Sequence, residues 1–453
     1  MTAKLVFWGG AGSVTGANFM LETGTRRILV DCGIQEREHV CDERNYGPFP
    51  YDPKSIDVLF VTHAHADHIG RIPKLVHEGF SGEIFSTAAT KDIATLMFDD
   101  ALTVMRRSAE TAQCGMLYDQ KDVERTLALW RGHGYHEEIS LEDGATVTFL
   151  NAGHILGSAM VQIRRGGKNI LFTGDLGNSP EPLLPETESP EGAHYLVIES
   201  VYGDRLHENK EGRRSMLKAA VEQVRKTKGV LLIPSFSIER TQILLSEFDA
   251  MIGGGEMQPI QMYLDAPLAT KITGVYRHYV SLLNADIQHR FQSHDDPFSF
   301  SGLTITRTPE ESRAIHEAPD PKVIIAGSGM SSGGRIREHE RRYLADPKST
   351  VLFVGYQAPG SLGRRIADGE GSVTIDGQKI SVRAQVATLT GYSGHKDRDG
   401  LLSFAELTAD TLERAFVVMG EPKASAFLSQ RLHDFLGINA VVPESGQSFE
   451  IEW

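Results

Sequence analysis

The sequence predicts an α/β protein carrying an inserted α/β domain built on a mainly parallel sheet. Three observations predict it. Strand-like and helix-like segments alternate between 195 and 354, the pattern of βαβ units. Three histidines and an aspartate crowd a strand-to-helix loop at 63–68. Two further residues suited to complete that cluster, Asp175 and His395, stand 220 positions apart, and the alternating segment falls inside that gap.

At about 100–200 residues per domain, 453 residues suggest two or three domains with full cores. Apolar residues make up 40% and charged residues 23%, ordinary for a soluble globular protein. No apolar run reaches the roughly 18 residues of a membrane span. Residues 5–8 run straight into Gly9-Gly10, too short for a secretory signal core, and read as a first strand. Three cysteines, Cys32, Cys41 and Cys114, supply neither a disulfide framework nor a thiolate metal site, so a reducing cytoplasmic setting fits. With 46 basic against 60 acidic residues, the net charge of −14 excludes a uniformly basic surface. Bound metal ions and a few arginines still reverse the potential of a single cleft.

In chain order, strands are expected at 4–8, 18–22, 26–31 and 57–62, rich in Val, Ile, Leu and Phe and bounded by glycine. Helical periodicity follows at 69–78 and 90–106. Strands return at 145–150, 159–164 and 169–173, the last two joined across Gly166-Gly167. Four prolines make 178–192 an exposed loop. Strands at 195–199, 229–233, 260–264, 322–326 and 350–354 then alternate with helices at 210–227, 237–250 and 333–345. Short strands flank Asp376-Gly377. A helix near 397–407, a strand at 415–419, a helix at 422–435 and a final strand at 439–442 close the chain.

The segment Thr62-His63-Ala64-His65-Ala66-Asp67-His68 dominates the functional reading. His63 and His65 share one side of an extended stretch, while Asp67 and His68 sit at the turn into a helix. Mixed nitrogen and oxygen donors suit zinc, ahead of manganese or iron. Two donors on each side of one loop suggest two ions about 3.5–4 Å apart. His154, Asp175 and His395 each lie beside glycine at the end of an element and supply further donors.

The H-x-H-x-D-H motif formed by His63, His65, Asp67 and His68 resembles the signature of the metallo-β-lactamase superfamily. The resemblance implies an αββα sandwich with two Zn2+ ions (or Mn2+) at one sheet edge. It implies that His63, His65 and His154 hold one ion, that Asp67, His68 and His395 hold the other, and that Asp175 bridges. Asp31 matches an early strand-end aspartate that orients the other groups without being a ligand.

The gap between Asp175 and His395 implies an insertion, and the motifs inside it resemble the β-CASP branch. Glu199-Ser200-Val201-Tyr202-Gly203 matches motif A, with Glu199 as its acid. Pro234-Ser235-Phe236 through Arg240-Thr241-Gln242 matches the segment after the first strand of the insert. Gly327-Ser328-Gly329-Met330 with Gly333-Gly334-Arg335 resembles its glycine-rich loop. Gly355-Tyr356-Gln357 through Arg364-Arg365-Ile366 resembles motif B, and Ser393-Gly394-His395 motif C. The pattern is similar to bacterial and archaeal homologues of the endonuclease subunit of the cleavage and polyadenylation specificity factor. The expected domains are 1–205 (metallo-β-lactamase, first part), 206–369 (β-CASP insert) and 370–453 (metallo-β-lactamase, second part).

These implications lead to a zinc-dependent ribonuclease that hydrolyses phosphodiester bonds of single-stranded RNA in a cleft between two domains. The expected catalytic residues are Asp67, Glu199 and Asp31. The expected substrate-binding residues are Ser235, Arg240, Ser328, Gly329, Met330, Arg364 and Arg365. The glycine-rich loop, running into a helix from about 333, would cradle a phosphate with its free amides. Arg240, Arg335, Arg364 and Arg365 would line a basic groove. One departure matters: Arg365 stands where related eukaryotic endonucleases carry a histidine thought to protonate the leaving group, and arginine does not act as a general acid near neutral pH. Glu199, a metal-bound water or another histidine such as His339 would take that part.

The chain stops at Trp453 without the C-terminal appendage of many exonucleolytic members, which leans towards an endonuclease. Interstrand-repair DNA nucleases of the superfamily carry Asp in motif A and an apolar residue at the position of His395, so Glu199 with His395 favours RNA. A small-molecule ester or thioester hydrolase would leave the insert without a role. A non-catalytic RNA-processing scaffold would have lost metal ligands, and none is missing here. A homodimer is allowed, with no amphipathic helix to announce it.

Overall fold

The computed structural model describes residues 2–35, 43–111, 115–190, 192–207, 212–358 and 360–453, with the side chains of 107–111 and 390 excepted. Cys41 and Cys114 lie outside the described residues. Two compact units divide the chain: residues 1–206 with 395–453, and residues 207–394.

The first unit holds two seven-stranded sheets. One runs in the order Ser448–Glu452, Thr2–Gly9, Asn18–Glu22, Arg27–Val30, Val58–Phe60, Glu83–Thr87 and Trp130–His133. The other runs Ala440–Val441, Arg414–Val418, Tyr195–Glu199, Lys168–Phe172, Ala159–Arg165, Thr146–Asn151 and Ile139–Ser140. Strand periodicity sorts their side chains. Leu5, Phe7, Phe19, Val30 and Phe60 from the first sheet meet Phe149, Val161, Phe172, Val197 and Phe416 from the second in one buried core. The alternate residues Met160, Leu171, Leu196, Ile198 and Val417 point outwards. They pack with Leu401 and Phe404 of helix Arg398–Glu406 and with Leu428 and Leu432 of helix Pro422–Leu436. Helices Ile72–His77, Ala88–Thr111 and Gln120–Leu129 belong to the first sheet. The layers are those of an αββα sandwich.

The last strand is Ser448–Glu452, not 439–442. Its Ser-Phe-Glu-Ile-Glu alternates polar and apolar residues and pairs antiparallel with the first strand, Ile451 opposite Ala3. Nor is 178–192 simply exposed. Leu183 and Leu184 are buried, and Glu188 exchanges hydrogen bonds with Asn151 through its amide and its carboxylate.

The second unit is built on a six-stranded sheet ordered Leu303–Ile305, Gln261–Asp265, Lys322–Ala326, Val230–Pro234, Thr350–Val354 and Gln385–Leu389. Every pairing in it is parallel. Strand Gln385–Leu389 pairs with Thr350–Val354, and Val373 and Ile375 of the hairpin around Asp376-Gly377 join the core of the second unit. The chain therefore returns to the first unit after 394, where the sequence placed that return near 369.

Asp265, at the end of its strand, is fully buried and holds this unit's polar core together. Its Oδ1 accepts from Thr306 Oγ1 at 2.5 Å and from Arg335 Nη1 at 2.5 Å. Its Oδ2 accepts from Ser312 Oγ at 2.6 Å and lies 2.8 Å from His339 Nε2. His339 Nδ1 in turn lies 3.1 Å from His316 Nε2. His339 is thus fully buried with both ring nitrogens engaged, which removes it as a candidate general acid.

Beside it on helix Ile336–Tyr343, Glu340 is also buried, with Ser331 donating to Oε1 and Oε2 left without a hydrogen-bond partner. Burial pushes this carboxyl up to about 8, only partly opposed by the Ser331 hydroxyl and by Arg337. The folded state therefore holds a proton that the unfolded chain releases near 4.3. The associated stability is fully present below that value and is lost as pH rises through about 8. Glu340→Gln is expected to leave the urea midpoint nearly unchanged at acidic pH and to raise it under alkaline conditions. A midpoint difference independent of pH would refute this.

Candidate metal centre

The site gathers at one edge of the sandwich because strands of both sheets end there. Asp31 follows strand Arg27–Val30 and Thr62 follows Val58–Phe60, two parallel neighbours. Asp175 follows Lys168–Phe172 and Glu199 ends the parallel strand Tyr195–Glu199. His154 follows Thr146–Asn151, which runs in the same direction. Carboxyl ends of parallel strands leave such a crevice open. His65 caps the short helix Ala66–Ile69, which carries Asp67 and His68. The backbone there is close-fitted: a Cβ on Gly33 would stand 1.4 Å from the Asp67 carbonyl oxygen, so only glycine fits.

One group of donors is compact. His63 Nε2 lies 3.1 Å from His65 Nδ1, and His154 Nε2 lies 3.2 Å from the same atom. Asp175 Oδ2 stands 3.4 Å from His63 Nε2 and 3.5 Å from His154 Nε2. Ligands held about 2.0–2.1 Å from a tetrahedral ion stand roughly 3.4 Å from one another. These four separations already match that spacing, and all four atoms lie within 4.8 Å of one another.

The other side is built around His68. Its Nδ1 lies 2.7 Å from Asp31 Oδ2, and its Nε2 faces Asp175 Oδ1 at 3.4 Å and Asp67 Oδ2 at 3.9 Å. His68 Nε2 and Asp175 Oδ1 are both buried and, beyond this ion-pair contact with one another, make no well-formed hydrogen bond, a state that costs free energy unless something else engages them. His395 approaches from after the insert. Its Nδ1 lies 4.0 Å from Asp175 Oδ2 and 3.1 Å from Glu199 Oε1. Glu199 is fully buried. Its Oε1 also accepts from the Leu176 amide and its Oε2 from the Val201 amide. Three donors occupy that carboxylate, an arrangement that holds His395 rather than one that offers a proton. Buried nitrogen and oxygen atoms, imidazole-rich donors and tetrahedral spacing fit divalent ions of the zinc class.

Electrostatics agree. Burial, then the neighbouring His63, holds His65 well below the usual histidine range. Burial, then His395, does the same to His154. Burial disfavours the charged form of His68 too, but Asp175, Asp31 and Asp67 outweigh it and lift the ring well above that range. His395 is raised to about 9, with Glu199 and Asp175 overcoming burial. Asp175 is held well below the carboxylate range against burial by His68 and His395, while burial raises Asp67. Without ions, protons on His68 and His395 balance the carboxylates, and metal binding must displace such protons.

The expected substrate-binding residues lie in the second unit. Ser235 is buried, its hydroxyl 3.0 Å from Thr241 Oγ1. The amides of Ser328, Ser331 and Gly333 are engaged inside the glycine-rich loop, so these three are not open to a phosphate. The Gly329 carbonyl accepts from Gln357 Nε2 at 3.0 Å and the Met330 carbonyl from the Gly363 amide at 3.0 Å. Arg364 is paired with Asp368 at 2.8 Å, Arg365 with Glu370 at 2.7 Å and Arg335 with Asp265. All three arginines thus face a carboxylate, Arg364 and Arg365 in partly exposed pairs and Arg335 in a buried one. Arg240 is buried at the start of helix Arg240–Gly253.

Comparison with known proteins decides the family. Models of a metallo-β-lactamase superfamily domain, a Beta-Casp domain and a Zn-dependent metallo-hydrolase RNA specificity domain match residues 20–196, 241–366 and 379–443. The chain is 36% identical to Ribonuclease TTHA0252 of Thermus thermophilus over 89% of this chain and 90% of that one. The chain belongs to the β-CASP branch of the metallo-β-lactamase superfamily. It is 29% identical to an RNase J-like protein of Methanocaldococcus jannaschii across 98% of both chains. It is 30% identical to the transcription termination factor FttA of Methanosarcina mazei, over 95% of this chain and 69% of that protein. A crystal structure of an Enterococcus faecalis protein of unknown function superposes with a TM-score of 0.59 at 12% identity, covering all of both chains, which shows the shared fold. As a β-CASP member the chain is a metallo-hydrolase, and two donor groups, His63, His65, His154 and Asp175, and Asp175, Glu199 and His395, are each close enough together to hold an ion. Among the described residues no helix is long and apolar enough to cross a membrane.

Proposed function

We propose that this β-CASP protein is a two-zinc endoribonuclease that hydrolyses phosphodiester bonds of single-stranded RNA. The observation that carries the reading is the pre-formed donor spacing of His63, His65, His154 and Asp175, set beside the buried His68 Nε2 and Asp175 Oδ1 that face one another at 3.4 Å. Relatives named as ribonucleases supply the substrate class.

His63, His65 and His154 would hold one ion, Asp67, His68 and His395 the other, with Asp175 between them; manganese would serve the same donors. When bound, such ions supply Lewis acidity that brings a water pKa down to about 7 and offset charge developing on a phosphate. The chain's own residues do the positioning. Asp31 fixes the ring of His68, and Glu199 fixes that of His395, so each presents its other nitrogen in a set orientation. Asp67, a carboxylate beside the ion it would help to hold, is the acceptor proposed for a proton. The His63, His68, His154 and Asp175 side chains are at most 4% exposed, so a phosphodiester must be threaded to them. A flexible single strand allows this and a stiff duplex does not. A cytoplasmic location fits the buried, unbridged thiol of Cys32.

A covalently closed single-stranded RNA circle tests the endonucleolytic part. The protein with zinc or manganese is expected to linearise the circle, to stop with a chelator, and to leave the matched DNA circle at least about 100-fold less cleaved. Degradation confined to linear RNA with free 5′ ends would replace the endonuclease with a 5′-exonuclease. Preferential DNA cleavage would overturn the substrate class.

A further inference from the structure

One hydroxyl in the centre is engaged on every side. Thr62, the residue before His63, is buried, with its Oγ1 2.8 Å from Asp31 Oδ2, 3.0 Å from His63 Nδ1 and 3.3 Å from His68 Nδ1. The roles sort themselves by proton count. Asp31 is acceptor-only when ionised, so Thr62 donates its one proton to Asp31 Oδ2. The hydroxyl oxygen then has lone pairs left, and His63 Nδ1 fills one of them only by carrying a proton of its own. His68 has a shorter path to the same carboxylate, 2.7 Å from Nδ1 to Asp31 Oδ2. Asp31 therefore reaches His68 directly and His63 only through Thr62.

The threonine has no freedom to turn away. Its amide donates to Asp31 Oδ1 at 2.8 Å, and its carbonyl accepts from the Ala159 amide at 2.8 Å. Gly174, at φ 53°, runs against its side chain so closely that a Cβ there would stand 2.7 Å from Thr62 Cβ and 2.8 Å from Oγ1. A buried hydroxyl fixed by two backbone bonds and a flanking glycine is a pre-set acceptor for one ring nitrogen.

We propose that Thr62 is a positioning residue for the metal centre: its hydroxyl relays Asp31 to His63, fixing His63 as the Nδ1–H tautomer so that Nε2 faces Asp175 as a free donor. The inference rests on His63 and His68 being ligands as proposed above. It adds an asymmetry. Without Thr62, His68 keeps the carboxylate behind its Nδ1 while the Nδ1 of His63 loses its link to Asp31. The ion held by His63, His65 and His154 should weaken, and the other should be spared.

The test uses the full chain as Thr62→Val, which keeps the shape and removes the hydroxyl, and Thr62→Ser, which keeps the hydroxyl. Zinc binding is titrated against a chromophoric chelator that resolves two affinity classes. Histidine tautomers are read by 15N NMR of histidine-labelled, metal-free protein. Thr62→Val is expected to weaken one affinity class about 10–100-fold, the usual cost of losing a partner behind a liganding histidine, with the other class changed by less than about 3-fold. His63 should lose its Nδ1–H signature, and Thr62→Ser should restore both. Thr62→Ala repeats the measurement should valine unfold the chain. Unchanged zinc affinity in the hydroxyl-free variants, an unchanged His63 tautomer, or a serine variant as weak as valine would overturn the proposal. Failure of the unaltered protein to bind zinc would instead remove the metal-centre reading beneath it.

Discussion

His65→Ala is expected to lower cleavage of single-stranded RNA at least about 100-fold and to reduce bound zinc by about one ion per chain. His65 Nδ1 is the atom on which the compact donor group closes, 3.1 Å from His63 Nε2 and 3.2 Å from His154 Nε2. Burial holds this ring well below the ordinary histidine range, so it is neutral and ready to donate its lone pair. Alanine leaves His63, His154 and Asp175 with one corner open. Asp67→Ala is expected to cost a similar factor by another route, since Asp67 stands 3.9 Å from His68 Nε2 on the opposite side. The two variants should differ in which affinity class they lose. Cleavage rates from labelled RNA, read beside metal content by mass spectrometry, make the comparison. Cleavage within about tenfold of the unaltered protein by either variant would sink the assignment of these ligands.

Asp265→Ala is expected to destabilise the second unit by about 3–5 kcal/mol, the usual cost of removing one partner of a buried charge pair. Arg335, His339, Thr306 and Ser312 all direct donors at this carboxylate, and alanine leaves them facing a void. Burial works against the ionised carboxylate. The bonds from His339, Ser312, Thr306 and Arg335 more than compensate and hold its pKa well below the usual range. A depressed folded pKa means stability that is present above the unfolded value near 3.9 and lost as pH falls through the folded one. Urea unfolding near neutral pH should show the loss in full, and the difference between variant and parent should shrink in strong acid. A loss under about 1 kcal/mol at pH 7 would refute a structural role for the cluster.

Much of this was legible in the sequence. The runs Val230–Pro234, Lys322–Ala326 and Thr350–Val354 are buried on both faces, so they read as unbroken apolar stretches. The motif at 63–68 and the lone His154, Asp175 and His395 do converge, because each stands where a strand or loop meets the same edge of the sandwich. Edge strands were harder. Gln385–Leu389 is mostly exposed, and Gln-Val-Ala-Thr-Leu carries no apolar run to mark it. Its parallel pairing with Thr350–Val354 decides where the insert ends, and pairing is not written in local sequence. Helix Ile336–Tyr343 is six parts charged or imidazole in eight and resembles a solvated face. Yet Ile336, His339, Glu340 and Tyr343, spaced at helical intervals, are the buried stripe. That spacing was the available signal, and composition hid it. Asp265 had no local signal at all, since its partners come from 306, 312, 335 and 339.

His395 lies 196 positions beyond Glu199, the carboxylate it faces. A ribosome therefore finishes the whole second unit before the last histidine of the centre emerges. A nascent chain, tethered within reach of its own message, holds an incomplete set of donors for most of its synthesis. Assembly order alone delays the proposed nuclease until the polypeptide is nearly made.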